Sequence, residues 1–318
     1  MEQYQVIAFY AFFSVEDPHL EVRRQKKFLG ERDARGRIYI SEEGYNGQMS
    51  ASPQAAKEYI AWMKEDPRFA NVQFKIHFYH EHPFDRMTVK YREQIVALDE
   101  KVDMKLTGEH VSPEKWREML ESRDENTICI DVRNNYESEV GHFEGAECPN
   151  LETFREFPEY ANQLAKRLDT KNTKVMMYCT GGIRCELYSA LMKERGFENV
   201  YQLDGGVINY GLQEGAKHWK GKLFVFDDRM VVPISQDNDE VLTTCKDCGA
   251  PCDHYFNCAH MDCNKLFISC MECAKKADGC CSKKCLEEGR VRPFDPRHAP
   301  RPYRRLSKEE KEHLVGAE

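Results

Sequence analysis

The sequence predicts a multidomain chain that joins an α+β unit to an α/β unit and ends in a cysteine-rich, metal-binding module. Three observations carry this expectation. At 318 residues the chain is too long for one small core and suits two or three domains of ordinary size. Strand-like and helix-like stretches alternate over the first two thirds, and ten of the 14 cysteines crowd between Cys245 and Cys285.

Taken in order, Tyr4 to Phe13 is apolar and aromatic enough for a buried strand, and residues 16 to 29 read as a helix carrying Leu20, Val22, Phe28 and Leu29. Two short strands, 37 to 41 and 46 to 51, flank a turn in "EEGYNGQ", whose glycines and Asn46 suit positive φ. Ser52-Pro53 supplies the N-cap and first residue of a helix running to about Asp66, and Gln73 to His80 returns to strand. That order, β-α-β-β-α-β, is the order of a ferredoxin-like sandwich. Residues 81 to 111 connect onward, with Ile95 to Leu98 as a candidate strand. Ser112-Pro113 opens a helix through Leu120. Thr127 to Val132 and Lys174 to Cys179 are short, nearly continuous apolar runs, as in central strands of a parallel sheet covered on both faces. Helices at 155 to 168 and 186 to 195 alternate with them, and Val200 to Leu203 adds a strand. The expected domains are therefore 1–100, 110–220 and 240–318, the last too poor in aliphatic residues to hold itself together without metal or docking.

Composition narrows the partners. No apolar run approaches the roughly 20 residues a bilayer span needs, and Met-Glu-Gln-Tyr-Gln has no basic signal region, so a cytoplasmic protein without membrane contact is expected. Clustered Cys-x2-Cys spacings then read as metal thiolates and a reactive thiol, not as a secreted disulfide framework. The 46 Lys and Arg against 54 Asp and Glu leave a formal charge of −8. Basic residues nevertheless concentrate locally, in Arg23, Arg24, Lys26, Lys27, Arg32, Arg35 and Arg37 and again between Arg290 and Lys308. Such patches either bind phosphate or are ordinary solvated surface.

One stretch carries chemistry, "YCTGGIRCELYSALMKERGF" from Tyr178. A buried strand ending in Cys179, a loop Thr-Gly-Gly-Ile-Arg and a helix place a thiol where loop amides, the helix N-terminus and Arg184 favour the thiolate. Cys179 is a candidate nucleophile, Arg184 its cationic partner, and Cys185 a candidate resolving thiol for a persulfide, sulfenate or mixed disulfide. The alternative for each cysteine is a packed structural residue. Cys179 to Arg184 is Cys-x4-Arg, one residue short of the phosphatase loop.

The tail offers Cys245, Cys248, Cys252, Cys258, Cys263, Cys270, Cys273, Cys280, Cys281 and Cys285 as metal ligands, with structural zinc the leading ion. His254 and His260 lie among them. Two four-ligand sites with donors left over fit the count, but spacing alone does not pair them. A second cluster, His77, His80, Glu81 and His82, holds the residue types of an iron site, though a polar strand end explains it as well.

Around Cys179 the chain resembles a rhodanese domain. A leading motif, "DVRNNYESEVGHFEGA" from Asp131, and a closing motif, "GFENVYQLDGG" from Gly196, flank the loop in the rhodanese order. The resemblance implies that Cys179 is the rhodanese active-site cysteine. Together with "EEGYNGQ" and "FISCMECAKKADGCCSKKC", the whole chain resembles the rhodanese-related tRNA uridine hydroxylase family. That resemblance implies O2-dependent conversion of the wobble uridine of tRNA to 5-hydroxyuridine, with O2 as co-substrate, an unidentified reductant, and the anticodon loop of tRNA, not DNA, as partner. Two other readings of the residues stay open: sulfur transfer through a Cys179 persulfide, and a non-enzymatic, zinc-stabilised RNA or protein adaptor. Tyr45 and Tyr303 are the candidates for base stacking, and Arg301, Arg304 and Arg305 for phosphate contact.

Overall fold

The computed structural model describes residues 3–236 and 238–294. The chain divides into two compact units, one of Met1–Ser138 with Phe143–His218, the other of Glu139–His142 with Trp219–Glu318.

The first unit opens with β1 (Tyr4–Phe12), α1 (Pro18–Leu29), β2 (Ala34–Ser41), β3 (Gly44–Ala51), α2 (Pro53–Lys64), β4 (Lys75–Tyr79) and β5 (Met87–Tyr91). Both helices start as the sequence expects: Asp17 and Ser52 side chains accept from Leu20 and Ala55 amides, with proline just inside each start. The sheet order is β4-β1-β3-β2-β5. Four strands form the ferredoxin-like sheet, and β5 adds a fifth, parallel to β2. The fifth strand corrects the sequence reading, which left Met87–Tyr91 in a connector and offered Ile95 to Leu98 instead. Ile95–Leu98 forms no strand. Its amide at Ile95 donates to Glu43, and Val96 and Leu98 are buried in the neighbouring α/β core, so their apolarity serves packing. A second correction concerns the turn. Gly47 lies within β3 and not at positive φ; its missing side chain makes room for the Phe9 ring, which a Cβ would meet at 2.3 Å.

Strand alternation gives β1 two jobs. Ile7, Phe9 and Ala11 face one way into the core with Tyr45, Tyr59 and Met63. Ala8, Tyr10 and Phe12 face the other way, joined by Lys75, which pairs directly with Ala8 across β1 and β4. Phe12 packs against the core of the α/β part.

That part contains β6 (Glu109–Val111), α3 (Pro113–Glu121), β7 (Thr127–Asp131), the short α4 (Asn135–Ser138), then β8 (Gly141–Phe143), which begins in the segment assigned to the second unit, and α5 (Phe157–Arg167), β9 (Lys174–Tyr178), α6 (Ile183–Glu194), β10 (Asn199–Leu203) and α7 (Gly206–Glu214). Its sheet runs β6-β10-β9-β7, every neighbour parallel. Helix α6 starts three residues earlier than its periodicity suggests. Residues Arg184 to Met192 are all buried, so the helix has no polar face to mark its beginning.

The second unit carries β11 (Trp219–Gly221), β12 (Leu223–Phe224), β13 (Val231–Val232), the hairpin β14 (Tyr255–Asn257) and β15 (Leu266–Ile268), α8 (Met271–Lys276) and α9 (Lys283–Glu287). Its small core is Phe256, Cys258, Ala259, Phe267, Ala274, Cys280 and Cys285. Arg297, Arg301, Tyr303, Arg304, Arg305 and Lys308 lie outside the described residues. Arg290 and Arg292, by contrast, are engaged within the unit, on Asp262 and on the Cys258 carbonyl.

Candidate active site and cysteine clusters

Strand β9 delivers Cys179 to the sheet's carboxyl end, and the loop to α6 folds back over it. Gly182, at φ +98°, turns the chain so that its amide donates to the Cys179 sulfur at 3.1 Å, and the Arg184 amide points the same way. The loop is pinned from beneath: Val207 and Ile208 amides at the start of α7 donate to the Cys179 and Thr180 carbonyls, both at 3.0 Å. Gly206 permits this approach, for at φ +68° a Cβ there would stand 2.6 Å from the Cys179 carbonyl oxygen.

Complete burial pushes the Cys179 thiol up, but the hydrogen bond from Cys185, the Arg184 charge and the two amides outweigh it and bring the pKa down to about 5. Cys185 is driven the other way, by burial and by donating to that sulfur, so the pair is one thiolate and one thiol in contact. Arg184 is itself held by a bidentate pair with Glu137, at 2.5 and 2.8 Å, both side chains nearly inaccessible. Thr180 donates to the same carboxylate at 3.2 Å.

Over this loop lies the polar face of β1 and β4. The Lys75 ammonium donates to the Gly181 carbonyl at 2.5 Å and sits 4.9 Å from the Tyr10 ring centroid. Burial lowers Lys75 to about 8, opposed by the negative charges of Cys179, Asp204 and Glu186. The Tyr10 hydroxyl donates to Glu186 at 2.8 Å and stays protonated, because burial and that carboxylate disfavour the phenolate. His110 reaches Glu186 and Asp204, whose hydrogen bonds raise it to about 10. Cys179 has no exposed surface, and the β1–β4 face lies over its loop.

In the second unit eight of the ten thiols gather into two groups, Cys245, Cys248, Cys270 and Cys273, and Cys258, Cys263, Cys281 and Cys285. All four donor atoms of each group lie within 4.8 Å of one another. Sulfur–sulfur separations of 3.8 Å (Cys248 to Cys270 and Cys281 to Cys285) and 3.6 Å (Cys263 to Cys281) match the edge of a tetrahedron with metal–sulfur bonds near 2.3 Å. Each group can hold a metal ion. Cys252 and Cys280, offered as ligands by spacing, fall outside both groups; Cys252 Sγ accepts from the His254 amide, and Cys280 packs in the small core. His254 and His260 are also outside.

The structure therefore brings Cys179, Arg184 and Cys185 together and pairs the thiols that spacing left unpaired. It does not gather His77, His80, Glu81 and His82 into a donor group among the described residues. His82 instead bonds Ser50 and Asp33. Tyr45 is fully buried and offers no face to a base. Sequence reasoning missed Glu137, which stood within the quoted leading motif, and missed Tyr10 and Lys75, for which no local signal existed.

Three family models match successive parts of the chain. The model described as a UPF0176 acylphosphatase like domain matches residues 4–95, a rhodanese-like domain matches 112–212, and a domain described as Rhodanase C-terminal matches 220–286. The tRNA uridine(34) hydroxylase of Protochlamydia amoebophila is 51% identical over 300 residues, covering 94% of this chain and 93% of that protein. Its counterpart from Chlamydia trachomatis serovar D is 51% identical over 306 residues, covering 96% and 93%. Among solved structures, a rhodanese-like domain from Anabaena is 20% identical with a TM-score of 0.30, covering 35% of this chain and 78% of that one.

Proposed function

The chain belongs to the tRNA uridine(34) hydroxylase family, and from that premise we propose that it hydroxylates the wobble uridine of tRNA at C5, with Cys179 as the reacting thiol and Cys185 as its redox partner. The observation that carries the assignment of the thiol is the Gly182 amide donating to the Cys179 sulfur at 3.1 Å, with the Cys185 thiol as a second donor to it. Arg184 supports the thiolate's charge and is oriented by Glu137.

Inserting one oxygen atom of O2 into a C–H bond leaves the second atom to depart as water, which requires two electrons and two protons. The Cys179–Cys185 pair supplies both electrons on becoming a disulfide, with one proton from the Cys185 thiol and the second from solvent: uridine, O2, the thiolate–thiol pair and one proton give 5-hydroxyuridine, water and the disulfide. A cellular thiol or dithiol reductant then restores the pair by exchange. The two cysteine groups hold zinc, one ion each, in a structural role, since four thiolates leave no open coordination position. The division of the chain is 1–100, 110–220 and 240–318. The protein acts in the cytoplasm on the anticodon loop. No helix among the described residues is long and apolar enough to cross a membrane.

The test is a gene deletion complemented in turn by wild type, Cys179→Ser and Cys185→Ser, with 5-hydroxyuridine in tRNA read by mass spectrometry. Wild type alone should restore it. Restoration by Cys179→Ser would overturn the assignment, and efficient thiosulfate-to-cyanide sulfur transfer by protein that leaves tRNA unmodified would replace it with sulfur transfer.

A further inference from the structure

Beside the thiol loop lies a cleft of about 250 Å³ lined by β1, by the chain leading into β4, and by Asp204. Typical ligand sites run to roughly 300–1,000 Å³, so this one suits a single small ring system. Its wall combines three aromatic residues, Tyr10, Phe12 and Phe13, with two carboxamides, Asn71 and Gln73. Both carboxamide side chains are exposed.

The charged residues of the wall are already engaged. Arg68 binds Asp66 at 2.6 Å and Glu21 at 3.0 Å and stacks over the Phe13 ring. Lys75 is buried, holds the Gly181 carbonyl and faces Asp204 electrostatically. With its cations committed, the cleft is poorly furnished for a phosphate and well furnished for a planar, uncharged heterocycle. Rings stack on a base, and a carboxamide presents a donor and an acceptor side by side, the pattern that a pyrimidine's pairing edge requires.

We propose that this cleft seats the wobble nucleobase, with Gln73 and Asn71 reading its pairing edge and Phe12 stacking on it. The proposal deepens the hydroxylase reading and rests on it for the identity of the base. Lys75 is the wall shared by the cleft and the thiol loop. Because Cys179 has no exposed surface, the seated base reaches the sulfur only when Lys75 and Tyr10 give way, a shift that binding of the correct base can drive.

Full-length protein is titrated with anticodon stem-loop RNA carrying uridine, cytidine or no base at the wobble position, without O2. Uridine should bind about tenfold more tightly than the abasic loop, from base stacking and edge hydrogen bonds. Gln73→Ala with Asn71→Ala should erase most of the preference for uridine over cytidine, with thermal stability unchanged because both side chains are exposed. Phe12 also packs in a core, so the exposed carboxamides carry the test. Equal binding of uridine and abasic loops, or a uridine preference that survives in the folded double variant, would overturn the proposal. The hydroxylase reading fails separately, if wild-type protein restores no 5-hydroxyuridine in cells.

Discussion

Cys179 is the residue at which burial and polarity oppose each other most directly, and its environment makes the outcome measurable. With the thiol brought down to about 5, iodoacetamide alkylation of Cys179 should be half-maximal near pH 5, whereas an ordinary thiol responds near 8.5. Closure by Lys75 and Tyr10 limits the absolute rate, so the pH midpoint is the informative reading. A depressed folded-state value also adds stability that is complete above the ordinary thiol range and is lost as pH falls through about 5. Arg184 is a different case. Removing it by Arg184→Ala strands the fully buried Glu137 carboxylate, so the expected result is a drop of about 3–5 kcal/mol in urea unfolding together with a raised Cys179 midpoint. The double variant Glu137→Gln, Arg184→Met should regain much of the stability while leaving the thiol less acidic, which separates the structural from the electrostatic part of the role.

At the level of elements, the hairpin β14–β15 and the short helices α8 and α9 surround two cysteine groups, each able to hold a metal ion. A core of seven residues, three of them cysteines, is too small to order this segment unaided. Two zinc ions per chain are expected by elemental analysis of carefully reduced protein. Cys270→Ser should lower that to about one while Cys258→Ser lowers it to one by emptying the other group; Cys252→Ser and Cys280→Ser should keep both, since their sulfurs lie outside the groups. Strong chelation should abolish the ordered near-ultraviolet signal of Tyr255, Phe256 and Phe267. The thiol loop is an element of the opposite kind, rigid without metal because α7 amides pin it. Gly206→Ala would push a methyl into the Cys179 carbonyl and the Gly182 amide, and the expected effect is lowered thermal stability with the Cys179 midpoint shifted up.

Across the whole molecule, a net charge of −8 and RNA binding are reconciled only by where unpaired basic residues fall. Arg24 and Arg32 are not free for phosphate: the first pairs with Glu21 and Asp66, the second with Glu58 and the Phe28 ring. Binding of an anticodon stem-loop should weaken steeply with salt, and neutralising Arg301, Arg304 and Arg305 together should reduce the slope by roughly 0.7 for each single-strand phosphate that no longer meets a cation. Arg24→Gln and Arg32→Gln should change it little. An unchanged slope in the triple variant would remove the basic tail from substrate binding.

What the sequence by itself determined is whatever depends on neighbours in the chain. The capped helices after Ser52 and Ser112, the apolar strands at 127 and 174, and the thiol at the end of one of them all follow from local spacing, and so does the loop that makes it acidic. Only the tertiary structure decided what closes that loop. Tyr10 and Lys75 lie more than a hundred residues from Cys179, on a strand face that looked from its apolar neighbours like one more buried surface. The period of two that puts Ile7, Phe9 and Ala11 into the first core necessarily turns Tyr10 and Phe12 outward, but nothing local says what they meet. Pairing among the ten clustered cysteines was hidden for the same reason. Spacing counts donors along a chain, whereas a tetrahedral group is defined by distances in space, and hairpin β14–β15 is what brings Cys245 and Cys248 to Cys270 and Cys273 while Cys252 between them is turned away.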